Sequence, residues 1–169
     1  NHVAYLVQDL PIVWAAGNSR GNNAWAIENN ALCDPENFYS APPLAGHPGL
    51  EADEWDCIYG EASAKNIFTV GAVDFQSNPS WFSSFGPTWD GRVKPDVVTI
   101  GEGVTTTDTD LNNGNPRYST FGGTSYATPV VSAHAVLLRQ FLDERAAAKG
   151  ESYDGYLSAL IKAAFIHTA

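Results

Sequence analysis

The stretch from Ser125 to Lys149 leaves a chain of this kind little choice of structure. Val130 to Leu142 runs with almost no polar interruption, Gly122 and Gly123 stand before it and Gly150 closes it. One long helix ended by Gly150 is therefore expected, apolar enough around its circumference to be buried on every side. Pro129 falls about one turn in, where a missing amide hydrogen costs little. The two glycines allow a tight turn and a close backbone approach, and they deliver Ser125 together with the free amide groups of the first helical turn. That is half of a site for stabilising an oxyanion beside the serine hydroxyl. The same residues also read as a plain glycine turn capping a core helix, with Thr124 or Ser125 as the N-cap, and this stretch alone favours neither reading.

The remaining elements place that helix in an α/β fold. His2 to Gln8 reads as the last turns of a helix, Asp9-Leu10 as a break, and Pro11 to Ala16 as a short apolar strand of the doubly covered parallel kind. Ser19 to about Ala64 is rich in Asn, Pro, Gly and acids and holds no sustained period, so it reads as a long functional or stapled loop. Ile67 to Val73 gives a second strand. Ser80 to Ser84 is a short aromatic and polar segment ending at the Gly86-Pro87 turn, and Pro95 to Ile100 is a third strand. Asp108 to Pro116 reads as a turn-rich acidic loop, Arg117 to Thr120 as a short extended approach to the glycines, and Tyr156 to about Ile166 as a last helix.

Charge narrows the partners. A formal net charge of -10 argues against nucleic acid and against an anionic membrane surface, and no run reaches transmembrane length. The chain begins with Asn1 and contains no methionine, which reads as a piece of something longer. Cys33 and Cys57 both lie in the irregular region, where a disulfide stapling a loop in an oxidising compartment is the expected arrangement and two free thiols the alternative.

Three stretches in this order carry a resemblance. Ile12-Val-Trp-Ala-Ala-Gly-Asn18, then Thr69-Val-Gly-Ala-Val-Asp74 with Phe82-Ser-Ser-Phe-Gly-Pro87 and Gly91-Arg-Val-Lys-Pro-Asp-Val97, then Gly123-Thr-Ser-Tyr-Ala-Thr-Pro129 resemble the C-terminal half of the catalytic domain of subtilisin-like serine proteases. The likeness covers nearly the whole chain. It departs from the common pattern at Tyr126, where methionine is usual, at Val130, where histidine often stands, at Thr99-Ile-Gly101, where Ala-Pro-Gly is usual, and in the insert after Asn18. The implied fold is a three-layer α/β sandwich on a mostly parallel sheet, incomplete at both ends. Residues 1–169 then form part of one catalytic domain, with the Cys-containing insert at about 19–64.

The resemblance also implies roles. Ser125 is the nucleophile of a serine endopeptidase, and Asn18 lends its side-chain amide to the oxyanion. Ala15, Ala16 and Gly17 wall the pocket for the residue before the scissile bond, and Tyr126 borders the leaving-group side. The family's triad runs Asp, His, Ser along the chain, an order for which subtilisin itself is the standard example. The matching Asp and His are expected upstream of Asn1, so the partners are a protein or peptide substrate and the upstream half of the same domain, and this chain alone is expected to be inactive. His134, more than two helical turns past Ser125, reads as a core or helix-packing imidazole and not as the base.

No cofactor is needed for the chemistry. Asp74 resembles an aspartate that binds a structural calcium in several subtilases, although one carboxylate is not a site and a strand-end turn residue is the plainer reading. A secreted or extracytoplasmic location follows from the cysteines and the family. A catalytically inactive subtilase-like binding or scaffold domain remains the alternative, because two triad members lie outside the chain. A lipase elbow would need glycine where Ala127 stands.

Overall fold

The computed structural model describes residues 11–18, 20, 58, 60–88, 90–110, 114–152 and 157–169. Three parallel strands form its sheet: β1 (Val13–Ala15), β2 (Phe68–Val73) and β3 (Val97–Ile100), in the order β1-β2-β3. The register pairs Val13 with Phe68 and Ala15 with Val70 on one side, and Val70 with Val97 and Val73 with Ile100 on the other. β2 is buried along its whole length because it has a neighbour on each side and cover on both faces. The strands match the expected positions, each with its bounds trimmed to the residues that enter the ladder.

The long helix, α1 (Thr124–Lys149), lies across all three strands, and Ala127 and Val131 pack with Phe68, Val70, Ala72 and Phe82. By the register, Val13, Phe68, Val70 and Val97 share this face of the sheet. A second helix, α2 (Leu157–Thr168), packs Leu157 and Ile161 against Ala135, and Phe165 sets its ring edge-on to Phe68 at 5.2 Å. Gly150 ends α1 in the left-handed conformation that its lack of a side chain permits, with φ at 68°. On the opposite sheet face, a 3₁₀ turn (Gly60–Ser63) sets Ala62 against Ala16 and Ile58. The end of the expected loop thus carries structure of its own.

Three expectations are corrected here. The helix is not buried on every side: Val136, Leu137 and Phe141 are exposed, Leu137 at 62%. The sheet and α2 cover only one arc of its circumference, and among the described residues no further layer meets the rest. Neither Thr124 nor Ser125 is the N-cap, a place taken by Gly123 with no capping side chain of its own. The acidic loop is also shorter than expected. Val104–Thr109 forms β4 and pairs antiparallel with β5 (Pro116–Phe121), from Val104 opposite Phe121 to Thr109 opposite Pro116.

β4 is a run of threonines broken by Asp108, and branched β-carbons favour an extended ladder whatever the polarity of the hydroxyl. Asp108 stands opposite Arg117, and its Oδ2 accepts from Arg117 Nε at 2.7 Å and from Ser119 Oγ at 2.8 Å. The acid therefore belongs to a cross-strand pair and is not a solvated loop charge. The ribbon closes at its root through Gly123 N, which donates to Gly101 O at 2.8 Å.

Candidate active site

β1 runs out at Ala15, and the next three residues bend toward the start of α1. Gly17 takes φ at 108°, a conformation closed to side chains, and its N–H donates to Thr124 Oγ1 at 3.2 Å. Its carbonyl accepts from Ser84 N at 2.9 Å. Asn18 follows, and its Oδ1 accepts two hydrogen bonds from one residue: Thr124 N at 2.8 Å and Thr124 Oγ1 at 3.0 Å. A backbone N–H can only donate, so the atom facing Thr124 is the amide oxygen and Nδ2 is turned the other way. Asn18 thereby serves as the cap that Gly123 lacks, reaching the helix from another strand.

Ser125 is exposed at the second position of α1, where its own N–H has no carbonyl one turn back within the helix. A methyl group built on Gly123 would lie 3.5 Å from Asn18 Nδ2, 3.6 Å from Tyr126 Cδ2 and 3.8 Å from Ser125 N. One small space is thus bordered by a side-chain amide, a backbone amide and an aromatic ring, and glycine keeps it open. Two donors bordering one space beside a hydroxyl suit an atom that gains negative charge, and the positive end of α1 lies at the same place.

Gly101 makes this convergence possible. A Cβ there would stand 2.7 Å from Ala72 Cβ, 2.8 Å from Gly123 O and 3.0 Å from Ala127 Cβ. The end of β3, the helix start and β2 meet at backbone distance, and any side chain would hold them apart. Pro129 lacks the N–H that would otherwise bond the Ser125 carbonyl, while Thr128 Oγ1 donates to Thr124 O at 2.8 Å.

The other residues singled out from sequence divide. Tyr126 borders the same space and stacks on Phe121 with centroids 5.6 Å apart and planes 7° from parallel. Ala15 is half-buried, whereas the Ala16 methyl is enclosed with Ile58 and Ala62 and offers a pocket only its backbone. His134 is exposed on α1, with Nδ1 2.7 Å from Val130 O of its own helix, so of the core or helix-packing placements expected the core one does not hold. Cys33 and Cys57 lie outside the described residues.

Asp74 closes a turn. Its Oδ1 accepts from Gln76 N and Asn78 N, both at 2.8 Å, and its Oδ2 from Asn78 Nδ2 at 3.0 Å. These bonds, led by the Asn78 side chain, hold the carboxyl below its ordinary pKa of 3.8. Three donors thus already meet this one carboxylate, as the strand-end turn reading expects, and among the described residues it is not part of a group of three or more His, Cys, Asp and Glu side chains.

The centre of polar burial lies in the Gly91–Val97 stretch, which belongs to the resemblance but is assigned no role from the sequence. Lys94 Nζ donates to Asp96 Oδ2 at 2.6 Å, Thr69 Oγ1 at 2.8 Å and Ile67 O at 3.2 Å, while Lys162 Nζ from α2 reaches Asp96 Oδ1 at 2.9 Å. Burial pulls the Lys94 amine below the ordinary lysine value, against the Asp96 carboxylate that raises it. The side chains of Lys94 and Asp96 are only 2% and 9% exposed. This network ties the approach to β3 and helix α2 to the start of β2.

Comparison with known proteins bears on the family and the fold. The subtilase family model (peptidase S8) matches residues 7–169. Membrane-bound transcription factor site-1 protease of Mus musculus is 33% identical over 130 residues, covering 73% of this chain and 11% of that protein. Mycosin-4 of Mycobacterium tuberculosis is 34% identical over 140 residues, covering 79% of this chain and 26% of its own length. Among solved structures, the prenylagaramide maturation protease PagA superposes with a TM-score of 0.53 at 23% identity, over 89% of this chain and 39% of that one. The chain thus spans a minor part of each of these relatives. None of the helices among the described residues is long and apolar enough to cross a membrane. With its family match running from residue 7 to the last residue, the chain belongs to the subtilase family of serine proteases.

Proposed function

We propose that this chain supplies the nucleophile and the oxyanion donors of a serine endopeptidase site. In that reaction Ser125 Oγ attacks a peptide carbonyl carbon as its proton passes to a histidine, and the oxygen of the tetrahedral intermediate takes up the space beside Gly123. Asn18 Nδ2 and Ser125 N donate to it. The C–N bond then breaks as the histidine returns its proton to the leaving amine, and water hydrolyses the acyl-enzyme by the same route. The histidine and its orienting aspartate are expected from polypeptide N-terminal to Asn1, so the isolated chain is inactive. Tyr126 and Phe121 flank the leaving-group side, and Ala15 and Gly17 the other.

The observation that carries this reading is that Asn18 Nδ2 and Ser125 N both border the space beside Gly123, next to an exposed serine. Its test is Asn18→Ala in the full-length enzyme, folded as judged by thermal melting. kcat should fall about 10² to 10³ with KM nearly unchanged, the same loss that subtilisin suffers when its own oxyanion asparagine is removed. A near-normal kcat with a raised KM overturns the oxyanion role. A secreted or extracytoplasmic location rests on pairing of Cys33 with Cys57, which intact mass after alkylation without reductant tests: two alkylated thiols refute it.

A further inference from the structure

The Gly17-Asn18 turn is held from two directions, and α1 accounts for only one. Thr124 fixes the Asn18 side chain. The backbone is held by Phe82 to Ser84: Ser84 N donates to Gly17 O at 2.9 Å, and Arg20 N donates to Phe82 O at 3.1 Å. One bond lies on each side of Asn18, so residue 18 cannot swing without breaking one of them. The side chain of Ser84 adds a steric limit. Ser84 is wholly buried, and a Cβ on Gly17 would meet its Oγ at 3.0 Å, so the serine fills the space beside the glycine.

This segment is itself rigidly mounted. Ser83 Oγ accepts from Ala72 N at 2.9 Å, Ser80 N donates to Ala72 O at 3.0 Å, and Phe82 belongs to the core shared by β2 and α1. A change in side-chain size at Ser84 therefore cannot be absorbed by the 80–84 segment and must move Gly17. Asn18 would follow, while Ser125 would stay on the helix.

We propose that Ser84 is a positioning residue for Asn18, setting through Gly17 where the Asn18 amide stands relative to Ser125; this rests on the oxyanion reading above. A Ser84→Val enzyme, with a branched side chain against Gly17, should lose about tenfold in kcat, the worth of one misplaced hydrogen bond, with KM within about threefold. Ser84→Ala keeps the backbone bond to Gly17 but removes the atom that fills the space beside the glycine, and should lower kcat in the same direction by a smaller factor. The deciding measurement is the double-mutant cycle in the full-length enzyme. In an Asn18→Ala background, Ser84→Val should cost no more than about twofold in kcat, because the group it displaces is gone. Ser84→Thr replaces Ser84→Val in the same cycle if the valine variant melts below the assay temperature. An equal kcat loss in both backgrounds, or a loss carried by KM alone, overturns the inference. A normal kcat for Asn18→Ala by itself overturns the oxyanion reading instead.

Discussion

Thr124 donates twice to Asn18 Oδ1 across 106 residues of sequence, from its backbone N at 2.8 Å and its hydroxyl at 3.0 Å. The first bond any residue but proline can make at that position, and the second only a hydroxyl. That hydroxyl also accepts from Gly17 N, so it fixes both the turn and the amide that the turn carries. Thr124→Val should keep the fold, leave the Gly17 N–H unpaired and lower kcat by about tenfold, while Thr124→Ser should restore most of it. Steady-state kinetics on the full-length enzyme distinguish this from a binding defect, which would appear in KM.

Gly101→Ala introduces a methyl group where Ala72, Gly123 and Ala127 already stand. Overpacking of this kind costs about 1–3 kcal/mol. The helix start must retreat from the sheet, so a lower unfolding midpoint and a lower kcat should appear together. An enzyme with unchanged stability and activity would show that the three backbones do not meet as described.

Asp74 should behave as the hub of a turn. In calcium-free buffer Asp74→Asn, which keeps an acceptor at Oδ1, should melt close to the parent, and Asp74→Ala clearly lower. Because the folded carboxyl titrates below 3.8, its contribution is complete above that pH and is lost as pH falls through the folded value. The parent should therefore lose stability on acidification in part through this group, and Asp74→Asn, with nothing to titrate there, should lose less. Melting curves between neutral and strongly acidic pH give the comparison; equal acid slopes refute the assignment.

Asp96 balances two amines. Asp96→Asn leaves Lys94 charged and buried without its counter-ion, a loss of about 3–5 kcal/mol in denaturant unfolding. Lys94→Met, which removes the buried charge while Lys162 still meets Asp96, should cost less. Lys94 titrates below its ordinary 10.5 in the fold, so the unfolded chain holds that proton more tightly and stability rises with pH between the two values. In Asp96→Asn the penalty should accordingly shrink as pH is raised toward 10.5; a penalty constant with pH would place the damage elsewhere.

The parts of this fold legible in the sequence are those set by neighbours along the chain. β2 shows as an unbroken apolar and β-branched run, and α1 by the glycines at its two ends. Ser125 and Asn18 stand out through the motifs around them. What stays hidden depends on partners far away in sequence. Thr124 looks like a helix cap until Asn18 arrives, Lys94 and Lys162 come together only because Asp96 lies between them in the fold, and Asp108 reads as part of a loop because its partner Arg117 stands on the other strand of the ribbon. The exposed side of α1 is hidden for a related reason: composition says how apolar a helix is, and only the packed layers say how much of it is covered.

The bond from Gly123 N to Gly101 O has a practical consequence for protein engineering. It pins the root of the ribbon at the helix start, beside the Phe121 ring stacked on Tyr126, and leaves the far end of the ribbon at a distance from Ser125. Asp110 N donates to Asn115 O there, well away from the root. Lengthening such a loop costs only about 0.6 kcal/mol per doubling. A reporter peptide or affinity tag grafted at that end of the ribbon should therefore leave the unfolding midpoint close to that of the parent.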